Sequence, residues 1–257
     1  MQVTSSDGTP IHADEFGEGP AILFVPGTTL DASAVVGVAS HLAPRFHCFA
    51  MDRRGRGKSG DAVVHSLDQE VDDVLTLARA IGRSVTLFGH SYGGLCVLKA
   101  AARCPEVAGL ILYEPPIDNP IPDETRATIR GALDEGDGRR AMLLFLEKVV
   151  QLRPVELTFV QSLPDSWFAE RAATTVREME AVFAFDPIAD LKLTGGLPVS
   201  MLLGSESTDV MKHNAERMLR ALPGSVLHTL EGEAHNALLS SPEAVASAIE
   251  EHMRESV

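Results

Sequence analysis

The stretch Val85-Thr86-Leu87-Phe88-Gly89-His90-Ser91-Tyr92-Gly93-Gly94 decides how the rest of the chain is read. An apolar run ends in Gly-x-Ser-x-Gly and passes straight into the small apolar segment Leu95–Ala102. A serine on so sharp a strand-to-helix turn is crowded, so glycine is required two positions before it and two after it. The turn lifts the Ser91 hydroxyl above the carboxyl end of the strand. It also aims the backbone N–H of Tyr92, at the helix start, toward any oxyanion that forms. The pentapeptide alone is a weak pattern, but strand before and helix after make Ser91 the candidate nucleophile.

Working outward, short continuous apolar runs recur at Ala21–Val25, Phe46–Met51, Ser84–Phe88, Val107–Tyr113, Leu197–Leu203 and Val226–Leu230. Runs of this length without alternation suit strands buried on both faces of a parallel sheet. Asp7-Gly8, between Val3-Thr4 and Ile11-His12-Ala13, predicts a hairpin at the start. The segment 67–81 carries Val71, Val74, Leu75, Ala78 and Ile81 on one face, with Ser66 and Gln69 as a capping pair and Gly82 as the stop. Ser241-Pro242-Glu243 opens the last helix. Strands alternating with helices indicate an α/β sheet. Only residues 117–190 break the alternation. They read as short helices punctuated by Pro120, Pro122, Pro154, Pro164 and Pro187. The expected organisation is a core of 1–116 and 191–257 with 117–190 as an inserted helical cap.

A serine hydroxyl needs a base. Of nine histidines, His235 is the one directly after the last strand, Val226–Leu230, and before the final helix. The base in turn needs a carboxylate to hold its tautomer. Glu114, at the end of Leu110-Ile111-Leu112-Tyr113-Glu114-Pro115-Pro116, is the first choice, since its strand should run beside that of Ser91. Asp209 and Glu206, in Gly204-Ser205-Glu206-Ser207-Thr208-Asp209, are the alternatives, and a dyad without an acid stays open.

With these pieces in place the chain resembles the α/β-hydrolase-fold superfamily over nearly its whole length outside 117–190. Phe24-Val25-Pro26-Gly27-Thr28 matches the oxyanion strand and loop, and Asp52-Arg53-Arg54-Gly55-Arg56-Gly57-Lys58-Ser59 matches the loop after the fourth strand. The serine turn and the His235 loop complete the set. The resemblance implies an eight-stranded, mostly parallel sheet flanked by helices, a helical cap after strand six, and Thr28 and Tyr92 as oxyanion donors. Two departures stand out. The family's usual His-Gly before the oxyanion residue is Pro26-Gly27 here, and its usual acid position after strand seven is Ser207.

The implied chemistry is that of a serine esterase or lactonase, forming an acyl-enzyme from a small acyl substrate without metal or organic cofactor. C–C hydrolysis, thioester release, perhydrolysis or a lyase or cyclase step use the same residues, and a non-catalytic ligand-binding module is the rival of another class.

Composition narrows the field further. The chain has 257 residues and a net charge of −14, from 22 basic and 36 acidic residues. Clustered positive charge is what polyanions demand, so nucleic acid and anionic membranes are disfavoured partners. Three unspaced cysteines (Cys48, Cys96 and Cys104) and the lack of an apolar leader predict reduced thiols and a cytoplasmic protein. Gly55-Arg56-Gly57-Lys58-Ser59 mimics a phosphate loop, but that motif needs glycine where Asp52 stands. The cations around it are expected to be ion-paired instead.

Overall fold

The structure is a computed structural model of the chain and describes residues 1–82, 84–118, 120–182 and 196–255. Its contacts divide the chain into two compact units, Met1–Ile117 with Phe185–Val257, and Asp118–Ala184. The expected boundary at 116/117 falls one residue from the first division. The one at 190/191 lies outside the described residues.

The first unit is built on eight strands: β1 (Gln2–Thr4), β2 (Pro10–Phe16), β3 (Ala21–Val25), β4 (His47–Asp52), β5 (Val85–His90), β6 (Val107–Tyr113), β7 (Val199–Gly204) and β8 (Val226–Leu230). They lie in the order β1-β2-β4-β3-β5-β6-β7-β8. The β1–β2 hairpin and the β2–β4 pair are antiparallel, and every later pair is parallel. Every residue of β3, β5 and β7 is buried. That two-sided burial is why these segments read as unbroken apolar runs rather than as alternating ones.

Helices α1 (Val36–Leu42), α2 (Leu67–Ile81) and α3 (Tyr92–Ala101) belong to this unit. The second unit holds α4 (Asp123–Asp134), α5 (Gly138–Phe145), α6 (Pro154–Gln161) and α7 (Asp165–Val182). The first unit resumes with α8 (Asp209–Ala221), α9 (Ala237–Ser240) and α10 (Pro242–Glu255). Helix α2 spans the predicted residues, with Ser66 Oγ accepting from Gln69 N and Gly82 turning left-handed at φ 70°. The second unit has its own core around Ile129, Phe145, Val176 and Met179. No strand interrupts its described residues.

Sheet register sets out the site in advance. β5 pairs with β6 so that His90 stands opposite Tyr113. Ser91 and Glu114 therefore leave the same carboxyl edge side by side. β3 flanks β5 on its other side, with Val25 opposite Gly89, which puts the Pro26–Thr28 loop next to the serine turn.

A polar cluster joins β7, β8 and α10, with Ser200 and His252 buried. Ser200 Oγ on β7 contacts His252 Nδ1 at 2.8 Å and His228 Nε2 at 3.2 Å, and His228 Nδ1 faces Glu251 at 3.3 Å. Burial, with a smaller contribution from His228, pushes the His252 imidazole down to about 4. The folded state thus refuses a proton that the unfolded chain accepts below about pH 6.5. Stability from this group is complete above that pH and drains away as pH falls toward 4, by about 3 kcal/mol at the limit. In urea melts compared at about pH 7 and pH 4.5, His252→Asn should lose about 2 kcal/mol less than the parent.

Candidate active site

Ser91 follows β5 at φ 52°, a left-handed conformation that a residue with a side chain adopts only under constraint. The constraint is visible on all sides. Ser91 N donates to Tyr113 O at 2.8 Å, and Gly94 N donates to Ser91 O at 2.8 Å. A Cβ on Gly93 would sit 2.1 Å from Val25 O, and one on Gly89 2.3 Å from Val97. The glycines of the motif are thus spaces that β3 and α3 already occupy.

Glu114 leaves β6 in the same left-handed way, at φ 46°. Its carboxylate is buried and fully engaged. Oε1 accepts from Gly204 N at 2.8 Å and from Ser207 Oγ at 2.5 Å, while Oε2 contacts His235 Nδ1 at 2.7 Å. A carboxylate only accepts here, so Nδ1 carries the proton and Nε2 is left with its lone pair, the form a general base requires. Glu206 and Asp209, the alternative acids, are both exposed, and Asp209 forms the first turn of α8. Ser207, at the family's acid position, serves as a donor to Glu114 rather than as the acid.

Two further residues hold the His235 loop, and neither stands out in the sequence. His90 is buried with its Nε2 2.8 Å from His235 O, and its ring lies 4.7 Å from the His235 ring. Burial, reinforced by the neighbouring His235, holds the His90 imidazole well below its ordinary range, so it is neutral. A carbonyl accepts, so the His90 proton sits on Nε2. Tyr113 Oη donates to Ala234 O and accepts from Ala237 N at 3.1 Å, bracketing His235 on both sides. Tyr113 ends an otherwise aliphatic strand, but nothing in the sequence says what its hydroxyl meets. Tyr113→Phe strands two buried backbone groups and should cost about 1–3 kcal/mol in urea unfolding.

On the other flank, Thr28 follows Gly27 in the loop after β3, and Tyr92 opens α3. Gly27 abuts the serine turn, since a Cβ there would lie 2.9 Å from Ser91 Cβ. The expected ion pairing of the basic loop is present. Arg53 Nη1 meets Glu70 at 2.7 Å, Arg54 Nη2 meets Asp73 at 2.7 Å, and Lys58 Nζ meets Asp14 at 2.6 Å. Asp52 accepts from the amide of Lys58 at 2.9 Å and from that of Ala32 at 2.8 Å, so a buried carboxylate organises the loop at the position where the phosphate-loop motif has glycine. All three cysteines are buried thiols, and burial pushes Cys48 up to about 12. Among the described residues no three His, Cys, Asp or Glu side chains are grouped to hold a metal ion. None of the described helices is long and apolar enough to cross a membrane.

Comparison with known proteins agrees with this architecture. A solved alpha/beta hydrolase from Sphaerobacter thermophilus superposes with a TM-score of 0.87 at 28% identity, covering 98% of this chain and 100% of that one. A Pseudomonas putida protein, N-formylmaleamate deformylase, is 36% identical over 121 residues, 45% of each chain, so the alignment spans under half of that relative's length. A putative esterase/lipase of Haemophilus influenzae is 23% identical over 237 residues, covering 90% of this chain and 82% of the relative. The model of the Alpha/beta hydrolase family matches residues 22–248. With that span, an eight-stranded sheet in this order and a strained serine between β5 and α3, the chain belongs to the alpha/beta hydrolase family.

Proposed function

We propose that the protein is a serine hydrolase of small carboxylic esters or lactones, with Ser91, His235 and Glu114 as its triad. The observation that carries this reading is the 2.7 Å contact from Glu114 to His235 Nδ1, on a carboxylate anchored by Gly204 N and Ser207. It leaves His235 Nε2 free to take the Ser91 proton as the hydroxyl attacks the acyl carbon. The tetrahedral oxygen is received by the N–H groups of Thr28 and Tyr92. His235 returns its proton to the leaving alcohol, and an acyl-enzyme remains. Water, deprotonated by the same imidazole, then releases the acid.

A second reading is hydrolysis of an acyl–nitrogen bond, favoured by the 36% identity to a relative named as a deformylase. The chemistry differs only in that an amine leaves, and His235 must protonate it before it departs. A panel of p-nitrophenyl esters, lactones, acyl thioesters and N-formyl amides separates the two readings. Turnover of esters or lactones alone supports the first, and preferential turnover of formyl amides the second. No turnover of any acyl compound by protein that fluorophosphonate also fails to label overturns both.

A further inference from the structure

Arg53 is fully buried and takes no part in the triad, yet its donors converge on the loop beside Ser91. Nε donates to Pro26 O at 2.8 Å, Nη2 to Gly27 O at 2.9 Å, and Nη1 to Glu70 Oε2 at 2.7 Å. Its Cζ lies 4.9 Å from the centre of the Tyr92 ring. Glu70 is held from its other oxygen by His65 Nε2 at 2.7 Å, so the guanidinium has a fixed counter-charge.

The choice of acceptors matters. A structural ion pair needs only a carboxylate, whereas two of these bonds go to consecutive backbone carbonyls. The Gly27 carbonyl shares its peptide plane with the Thr28 N–H. None of the described peptides is cis, and in a trans peptide the C=O and N–H point in opposite directions. The Gly27 oxygen also accepts from Leu30 N at 3.3 Å, but the shorter, charged bond from Arg53 holds the peptide so that the Thr28 N–H points away from Arg53. A charged donor on the carbonyl also draws electron density from the peptide and strengthens its N–H as a donor. The neighbouring bond to Pro26 O prevents the peptide from rotating about its flanking dihedrals. The Tyr92 ring packs under the same cation, and the Tyr92 N–H is the other proposed oxyanion donor.

We infer that Arg53 is a positioning residue of the oxyanion hole, aiming the Thr28 N–H through the Gly27 carbonyl and steadying Tyr92 through its ring. This rests on the hydrolase reading above. It also assigns a use to a position inside the Asp52–Ser59 motif that charge alone would class as a structural ion pair.

The test compares Arg53→Lys and Arg53→Ala with the parent, each normalised to sites titrated to completion with a fluorophosphonate, so that misfolded protein is not counted. Lysine keeps the charge opposite Glu70 but cannot span Pro26, Gly27 and Glu70 together. In both variants kcat per titrated site should fall about 10²-fold, the usual loss for a disabled oxyanion donor. KM should stay within about threefold, because the interaction strengthens only in the transition state. Affinity for a trifluoromethyl ketone should fall in step with kcat/KM, while the acid limb of the pH profile keeps its midpoint. Wild-type turnover per titrated site in either variant, whatever its melting temperature, overturns the inference. If neither variant folds, the parent still decides by NMR. The Thr28 amide proton must move downfield when the trifluoromethyl ketone binds, and a Thr28 amide that stays put refutes the assignment. A parent that is neither labelled nor active on acyl compounds overturns the hydrolase reading instead.

Discussion

Ser91→Ala is expected to lower kcat by about 10⁶-fold and to abolish labelling by a fluorophosphonate, with the fold intact. The expectation rests on what the substitution leaves in place. Alanine keeps the Cβ, so the φ 52° turn is neither relieved nor made worse, and the backbone bonds from Ser91 N to Tyr113 O and from Gly94 N to Ser91 O are untouched. Only the hydroxyl goes. His235 then has no proton to accept and no acyl-enzyme can form, yet the Thr28 and Tyr92 amides and the binding surface persist. A residual rate above that of water is therefore expected, as in enzymes stripped of a triad member but not of their oxyanion donors. His235→Ala should fall nearly as far, and the double variant hardly further, because the two act as a unit. Undiminished labelling in Ser91→Ala would place the nucleophile elsewhere. Unchanged melting temperature with lost activity is the signature that separates chemistry from folding.

The parts of this site legible in the sequence are those marked by local sterics. Gly89, Ser91 and Gly93 show the turn, because crowding by β3 and α3 excludes side chains there. The buried strands show as unbroken apolar runs. His235 shows by its place after β8. What stays hidden is whatever depends on register between strands far apart in the chain. Strand order already makes Glu114 the first choice over Glu206 and Asp209, but the exact pairing of Tyr113 with His90 and Leu202, which brings its carboxylate to His235, is encoded in no local pattern. The roles of Tyr113, His90 and Arg53 are hidden for a related reason. Their partners are backbone carbonyls, at Ala234, His235, Pro26 and Gly27, and a carbonyl is present at every residue whatever its side chain. Ser207 looks like a lost acid in the sequence. In the fold its hydroxyl donates to Glu114, the carboxylate proposed to take that role.

That exchange makes the last prediction the most informative about the acid. In Glu114→Gln, the amide oxygen should stay with Gly204 N, which can only donate, so the amide NH₂ faces His235. His235 must then present its Nδ1 lone pair and carry its proton on Nε2, the tautomer that cannot take a proton from Ser91. The expected loss is about 10⁴-fold in kcat with little change in KM. The same geometry predicts that the acid can be moved. Ser207 Oγ lies 2.5 Å from the Glu114 carboxylate, so an aspartate there reaches the space that the glutamate fills. In the parent, Ser207→Asp crowds two carboxylates into one buried place, where both cannot ionise, and should lower both activity and stability. In Glu114→Gly, which also relieves the φ 46° backbone, the space is vacant and the carboxylate has Gly204 N and His235 Nδ1 as partners. There Ser207→Asp should raise kcat/KM by about tenfold or more over Glu114→Gly alone. The four proteins form a cycle whose coupling changes the sign of one substitution, a result independent sites cannot produce. Additive losses across that cycle would mean that Glu114 supports the loop without holding the base, and Asp209 or Glu206 would then have to be tested as the acid.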